Sequence, residues 1–348
     1  MRHTLKAIIY AILAAVFYAI NTPLSKILLE KVPTTIMAAL LYLGAGLGVG
    51  IMYLFHWRDE RKADHLSRRD LPYTIGMIVL DILAPIFLMM GLNYGSASNA
   101  ALLGNFEIVA TTLIALLIFR EIVTRKLWIA ILFITIASIT LSFEGADSFQ
   151  FSYGSLFVLL ATACWGLENN CTRNISAKST YQIVVLKGLF SGGGSVVIAF
   201  LLGEQFPSVR YVLFAMLLGF VAYGLSIFMY IRAQRELGAA KTSAYYAIAP
   251  FIGAFLSFLL LGEKLTRIYV VALCLMVIGT AFVILDTIGK HHAHQHQHII
   301  THTHDGITHS HTITHSHAHN HYGDNEEHSH RHTKAQLEQD LWVIHHHV

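Results

Sequence analysis

The chain has 348 residues, a formal net charge of +3, 55% hydrophobic residues and only 13% charged ones. A soluble domain carries roughly 25% charged residues, so a large soluble enzyme or nucleic-acid binder is excluded, and a polytopic membrane protein with an extramembrane tail is implied. The three cysteines, Cys164, Cys171 and Cys274, are odd in number and lie inside apolar runs, so they read as small core residues and not as a disulfide or metal framework.

A helix crossing lipid needs about 20 mostly apolar residues, because every backbone amide must find its partner within the segment. Ten stretches meet this need, over residues 5–28, 33–55, 71–91, 96–119, 127–144, 152–173, 180–202, 210–231, 239–261 and 267–286. Asn-Thr-Pro-Leu-Ser-Lys follows the first run with no small-residue cleavage site, so that run is expected to be a retained helix and not a secretory signal. Placing the N-terminus inside puts Arg2, Lys6, Arg58, Arg61, Lys62, Arg68, Arg69, Arg120, Arg125 and Lys126 on the cytoplasmic side. The other side then holds only Lys26, Lys31, Arg210, Lys264 and Arg267. Basic residues favour the cytoplasmic loops, so both termini are expected in the cytoplasm of a cell-membrane protein.

An internal repeat organises these runs. The stretch from Asn99 ends on Glu121, Thr124 and Arg125, and the stretch from Lys241 ends on Glu263, Thr266 and Arg267. Ala14–Lys26 likewise aligns with Ala161–Arg173, setting Asn21 opposite Glu168. Each unit holds five helices, an odd number, so the two halves enter the membrane in opposite orientation, a signature of transporters that alternate access to one central site. The expected organisation is all-α: ten transmembrane helices as two inverted five-helix repeats (residues 1–144 and 145–288), followed by a disordered His-rich tail (289–348).

The Trp165-Gly166 pair, Pro250 and the Gly-Glu-Lys-Leu-Thr run from Gly262 to Thr266 resemble the EamA-type members of the drug/metabolite transporter superfamily. The resemblance covers roughly residues 5–286. It implies secondary transport of a small solute and no enzymatic activity. The first half departs from the pattern, with Tyr18-Ala19, Ile108 and Arg120 at the matching positions.

A charge at membrane depth costs about 3 kcal/mol or more, so such residues face the bundle interior, pair, or line a path. The candidates are Asp81, Glu107, Glu168 and Lys187, with Asn21, Asn105 and Asn169 as uncharged companions. Glu107 and Glu168 are suited to hold an amino group or a coupling proton. The competing reading is a structural ion pair of Lys187 with Glu168 or Asp81. Pro85, one turn after Asp81, is expected to break its helix and open a polar pocket. Glu121 and Glu263 are expected to be local turn devices, and Tyr245 and Tyr246 either bundle filling or stacking surfaces. Gly44, Gly46, Gly48, Gly188 and Gly192 have the small-residue spacing of close helix packing.

Of 22 histidines, 19 follow residue 290. His291, His292, His294, His296, His298, His302, His304, His309, His311, His315, His317, His319, His321, His328, His330 and His332 recur mostly at alternate positions. Imidazoles suit zinc, nickel, cobalt and copper, and no Cys/His framework fixes a single structural site. The tail is therefore expected to buffer several ions, while the bundle needs no cofactor. Leu337, Leu341 and Ile344 have the spacing of a short surface helix.

Two function classes follow. One is a secondary transporter of a small polar metabolite. The other is a transporter or sensor of divalent transition metals that uses the tail. No oligomeric state follows from the sequence.

Overall fold

The computed structural model describes residues 2–57, 65–119, 123–144, 150–175, 178–288, 290–304 and 307–321. The helices in chain order are α1 (Arg2–Ala19), α2 (Asn21–Leu28), α3 (Thr34–His56), α4 (Leu71–Tyr94), α5 (Ala97–Leu103), α6 (Phe106–Phe119) and α7 (Arg125–Leu141). After a two-residue strand pair, β1 (Phe143–Glu144) with β2 (Gln150–Phe151), come α8 (Tyr153–Ile175), α9 (Thr180–Leu201), α10 (Val209–Gly219), α11 (Ser226–Tyr246), α12 (Ala249–Leu261) and α13 (Arg267–Ile288). Among the described residues, seven helical runs are long and apolar enough to cross a membrane: Leu5–Leu28, Thr34–His56, Arg68–Tyr94, Ala97–Ile118, Thr180–Leu201, Val209–Ala233 and Arg267–Asp286.

Start and stop signals follow local chemistry. Ser96, Thr124 and Ser179 each accept the amide of the residue three further on, capping α5, α7 and α9. Gly262, in the left-handed region at φ 63°, closes α12. Four places depart from regular α-helix inside the apolar runs. These are the turn at Ile20 between α1 and α2, the turn at Gly104–Asn105 between α5 and α6, a π-helical segment at Phe220–Leu225, and the turn at Ala247–Ile248 between α11 and α12.

Residues Ser226–Tyr246 are helical throughout, yet they do not form one straight rod. A straight helix would hold residues 230 and 246 about 24 Å apart. The rings of Tyr230 and Tyr246 are 5.1 Å apart, so the chain doubles back between them.

Residues Met1–Thr287 form one compact unit. The main pairings are α3 with α9, α4 with α8, and α1 with α11. Glycine makes the first of these close: a Cβ at Gly188 would stand 2.4 Å from the Gly46 Cα, and one at Gly46 2.7 Å from the Leu189 amide nitrogen. Gly192 opposes Leu43 in the same seam.

The contacts sort the helix ends into two sets. At one end Lys26 reaches the end of α4, Glu204 the start of α3, and Glu263 the start of α5. At the other, His56 stacks on Tyr181 at 5.8 Å, Gln182 accepts the Leu66 amide at 2.9 Å, Lys178 approaches Asp70 at 3.9 Å, and Thr124 donates to Asp286.

One expectation is corrected. Helix α4 runs unbroken through Pro85. The proline removes only the amide that would meet the Asp81 carbonyl, and packing against α3, α8 and α9 holds the helix. In the tail the backbone pairs as an antiparallel ribbon, β3 (Lys290–His304) with β4 (Ile307–His321). The recurring Ile-Thr-His segments carry β-branched residues that favour strands. His328, His330, His332 and the segment holding Leu337, Leu341 and Ile344 lie outside the described residues.

Candidate functional site

The helix irregularities stand beside the polar side chains. Asn21 opens α2 after the turn at Ile20, Glu107 sits in the first turn of α6, Tyr223 lies in the π-helical segment, and Tyr246 ends α11. Non-helical backbone at membrane depth is tolerated only where protein buries it or where it lines a water-filled path. A π-bulge often marks a functional position, since its extra residue re-aims the side chains around it.

Lys187 of α9 bridges two carboxylates. Its Nζ is 3.0 Å from Asp81 Oδ2 on α4 and 3.0 Å from Glu168 Oε1 on α8. Tyr42 of α3 donates to Asp81 Oδ1 at 2.9 Å, and Thr172 donates to Glu168. Asp81 and Glu168 are fully buried, so this triad together with Tyr42 ties four helices together at depth. The ion-pair reading of Lys187 thus takes both proposed partners at once.

Glu107 stands apart from the triad. Its Oε1 accepts from Asn169 Nδ2 at 2.6 Å, and Asn169 also reaches Thr111 Oγ1 at 3.4 Å. Glu168 and Asn169 are neighbours on α8, about 100° apart around a helix of 3.6 residues per turn. One therefore turns to Lys187 and the other to Glu107. Glu107 is half-buried and lies within electrostatic reach of Glu168, Tyr18 and Tyr246.

Tyrosines connect these groups. Asn21 Nδ2 donates to the Tyr223 hydroxyl at 3.1 Å, and Ser25 donates to Asn21 at 3.0 Å. The Tyr223 ring lies 5.9 Å from Tyr18 and 5.2 Å from Tyr42, while Tyr18 lies 5.9 Å from Tyr246. A polar and aromatic chain therefore runs from Asn21 through Tyr223 and Tyr42 to Asp81, with Tyr18 and Tyr246 on its flank. Asn105 is buried beside the α5–α6 turn, and its Nδ2 has no hydrogen-bond partner. Tyr42, Tyr223 and Thr111 were missed by sequence reasoning, because an uncharged hydroxyl in an apolar run carries little signal. The π-helical setting of Tyr223 has no sequence mark at all.

Two motif residues touch this cluster: the Trp165 side chain hydrogen-bonds with Tyr42, and Gly166 approaches the Thr111 backbone. Trp165 is buried in the main apolar core, and a Cβ at Gly166 would stand 2.7 Å from Ala110 Cβ, which fixes the α8–α6 approach. Pro250 opens α12. Thr124 and Thr266 accept the amides of Leu127 and Tyr269 at 3.2 and 3.1 Å, so the repeated threonine is a helix N-cap in both copies. Arg125 and Arg267 are exposed first residues of α7 and α13. Glu263 is no local device: its carboxylate accepts from the Ala97 and Ser98 amides at 2.7 and 2.9 Å, because the left-handed turn at Gly262 leads the chain toward α5. Glu121 lies outside the described residues. Among the described residues no cluster of His, Cys, Asp and Glu is arranged to hold a metal ion.

A helical polytopic membrane protein with ionisable groups tied together at depth is the class that this fold and cluster define. The model of the EamA-like transporter family matches the chain twice, over residues 5–143 and 152–285, and the chain belongs to that family. It is 25% identical over 292 residues to an uncharacterized transporter of Methanothermobacter thermautotrophicus, covering 77% of this chain and 83% of the relative. It is 22% identical over 245 residues to the uncharacterized transporter YyaM of Bacillus subtilis, covering 67% of this chain and 80% of the relative. A crystal structure of another protein superposes with a TM-score of 0.61 at 16% identity, over 81% of this chain and 96% of that one, a likeness of fold.

Proposed function

We propose that this membrane transporter moves a small polar metabolite by alternating access, with Glu107 holding the substrate's amino group or a coupling proton. The observation that carries this reading is the Glu107–Asn169 pair at the start of α6, directly after the mid-run turn at Gly104–Asn105. Transporters place substrate and ion sites at discontinuous helices near the midplane. Glu107 is also the acid of the cluster that Lys187 does not bridge.

The proposal includes ten membrane passes in two inverted halves, with both termini in the cytoplasm of a cell-membrane protein. The two sets of helix-end contacts support it, since each successive pass must change ends. The set holding Lys26, Gly95, Glu204 and Glu263 falls on the outer side in this scheme. The set holding His56, Asp70, Lys178 and Asp286 falls inside.

Flux into proteoliposomes tests the site. Glu107→Gln is expected to abolish substrate flux while the protein stays folded. Flux at the wild-type rate in Glu107→Gln would remove Glu107 from the site.

A second reading assigns transition-metal binding to the tail. The ribbon register sets His292 opposite His319, His294 opposite His317, His296 opposite His315 and His302 opposite His309. Metal tolerance of cells carrying the full chain against a 1–288 truncation tests whether transport involves the metal. An unchanged response to zinc, nickel and cobalt would leave the tail outside the transport function.

A further inference from the structure

We propose that Glu204 and Glu263, with Lys26 at the neighbouring helix end, form a charged latch that holds one end of the bundle shut, and whose release exposes the central cluster from that side. Glu204 follows α9, yet its two oxygens accept from the Thr35 and Ile36 amides at 3.1 and 2.9 Å, at the start of α3. Helix α3 has no side-chain cap of its own, so Glu204 supplies one from 168 positions away. Glu263 follows α12 and does the same for α5 through Ala97 and Ser98, at 2.7 and 2.9 Å. Lys26 donates to the carbonyls of Leu92 and Gly95 at the end of α4, the latter at 2.8 Å.

All three charges match the helix ends they meet. Carboxylates favour the positive N-terminus of a helix and ammonium groups the negative C-terminus. Lys26 and Glu263 bracket the same short link, closing α4 on one side of Ser96 and opening α5 on the other. The assignment goes beyond helix capping because of where the contacts cross. Both carboxylates come from the second family match, residues 152–285, and both amide pairs from the first, residues 5–143. If the halves rock against one another, these bonds must break before this end opens, and the freed amides then turn to water. The strength of the latch therefore sets how often the end is open.

This inference rests on the inverted ten-pass reading, and the test separates the two. The full chain is made with Cys164, Cys171 and Cys274 replaced by serine and reconstituted in vesicles. A single reporter, Ser257→Cys, is added on α12, where Ser257 is fully buried four residues before the helix ends. Its labelling by a membrane-impermeant maleimide is timed from each side. A second reporter, Thr74→Cys, sits in the first turn of α4 at the opposite end.

Glu204→Gln and Glu263→Gln are each expected to speed labelling of Ser257→Cys about tenfold from the outer side, the factor for losing a charged contact at a helix end. Thr74→Cys should label at its original rate. Unchanged rates in both variants overturn the latch. Equal acceleration at both reporters also overturns it, since that reports general loosening. Acceleration seen only with reagent on the other side supports the latch and overturns the membrane orientation proposed above.

Discussion

Replacing Lys187 with methionine removes the one cation between Asp81 and Glu168 and keeps most of the side chain's volume. At 3.0 Å from each carboxylate, each pair is worth about 5–6 kcal/mol of Coulomb attraction at an effective dielectric of about 20. Desolvation of the three groups offsets most of that gain, so the triad itself is a weak source of net stability. Its half-removal is not weak, because two buried carboxylates are left uncompensated. Lys187→Met is therefore expected to destabilise the bundle by about 3–5 kcal/mol. The same substitution made on top of Asp81→Asn and Glu168→Gln should cost about 1 kcal/mol or less, since no buried charge is then orphaned. Reversible unfolding of the purified chain in a fixed detergent mixture measures both. A loss below about 1 kcal/mol in the single variant, or equal losses in the two backgrounds, would refute the account of Lys187 as the bridge.

Gly188→Ala should cost about 3 kcal/mol or prevent folding, because its Cβ would meet the Gly46 backbone at 2.4 Å. Gly193→Ala, with nothing within 4 Å, should be neutral or stabilise by about 0.5–1 kcal/mol; the pair is compared by the same unfolding assay. Thr266→Ala should cost about 1 kcal/mol through the lost N-cap of α13. Thr124→Ala should cost more, because Thr124 both caps α7 and donates to Asp286. Truncation after residue 288 should leave flux intact and remove binding of several nickel or zinc ions per chain, read by calorimetry on the purified protein.

The sequence carried the fold well because the membrane leaves few options. Apolar runs of one membrane thickness must be helices, and the repeated Glu-x-x-Thr-Arg endings registered the two matched halves. The charged members of the cluster were equally visible, since Asp81, Glu107, Glu168 and Lys187 stand out in apolar surroundings. Their division of labour was hidden. Glu168 and Glu107 looked equivalent until Lys187 was found between Asp81 and Glu168, a pairing set by which faces of α4, α8 and α9 meet. The reach of Glu263 was hidden too, because its partners Ala97 and Ser98 offer only backbone amides and carry no side-chain signature. Pro85 misled for a related reason. A proline inside a helix removes one amide, and three packed neighbours outweigh that loss.

The cluster has an electrical consequence. Among its described members three carboxylates, Asp81, Glu107 and Glu168, accompany one ammonium, Lys187. If Glu107 takes up a proton or a cationic solute as proposed above, part of that surplus is neutralised. The empty and loaded forms then differ in net charge at depth. Moving one unit of charge across the membrane is worth about 2.3 kcal/mol per 100 mV. A carrier built this way would be biased by voltage to different degrees when empty and when loaded, so the potential across the membrane would become part of the force that turns it over.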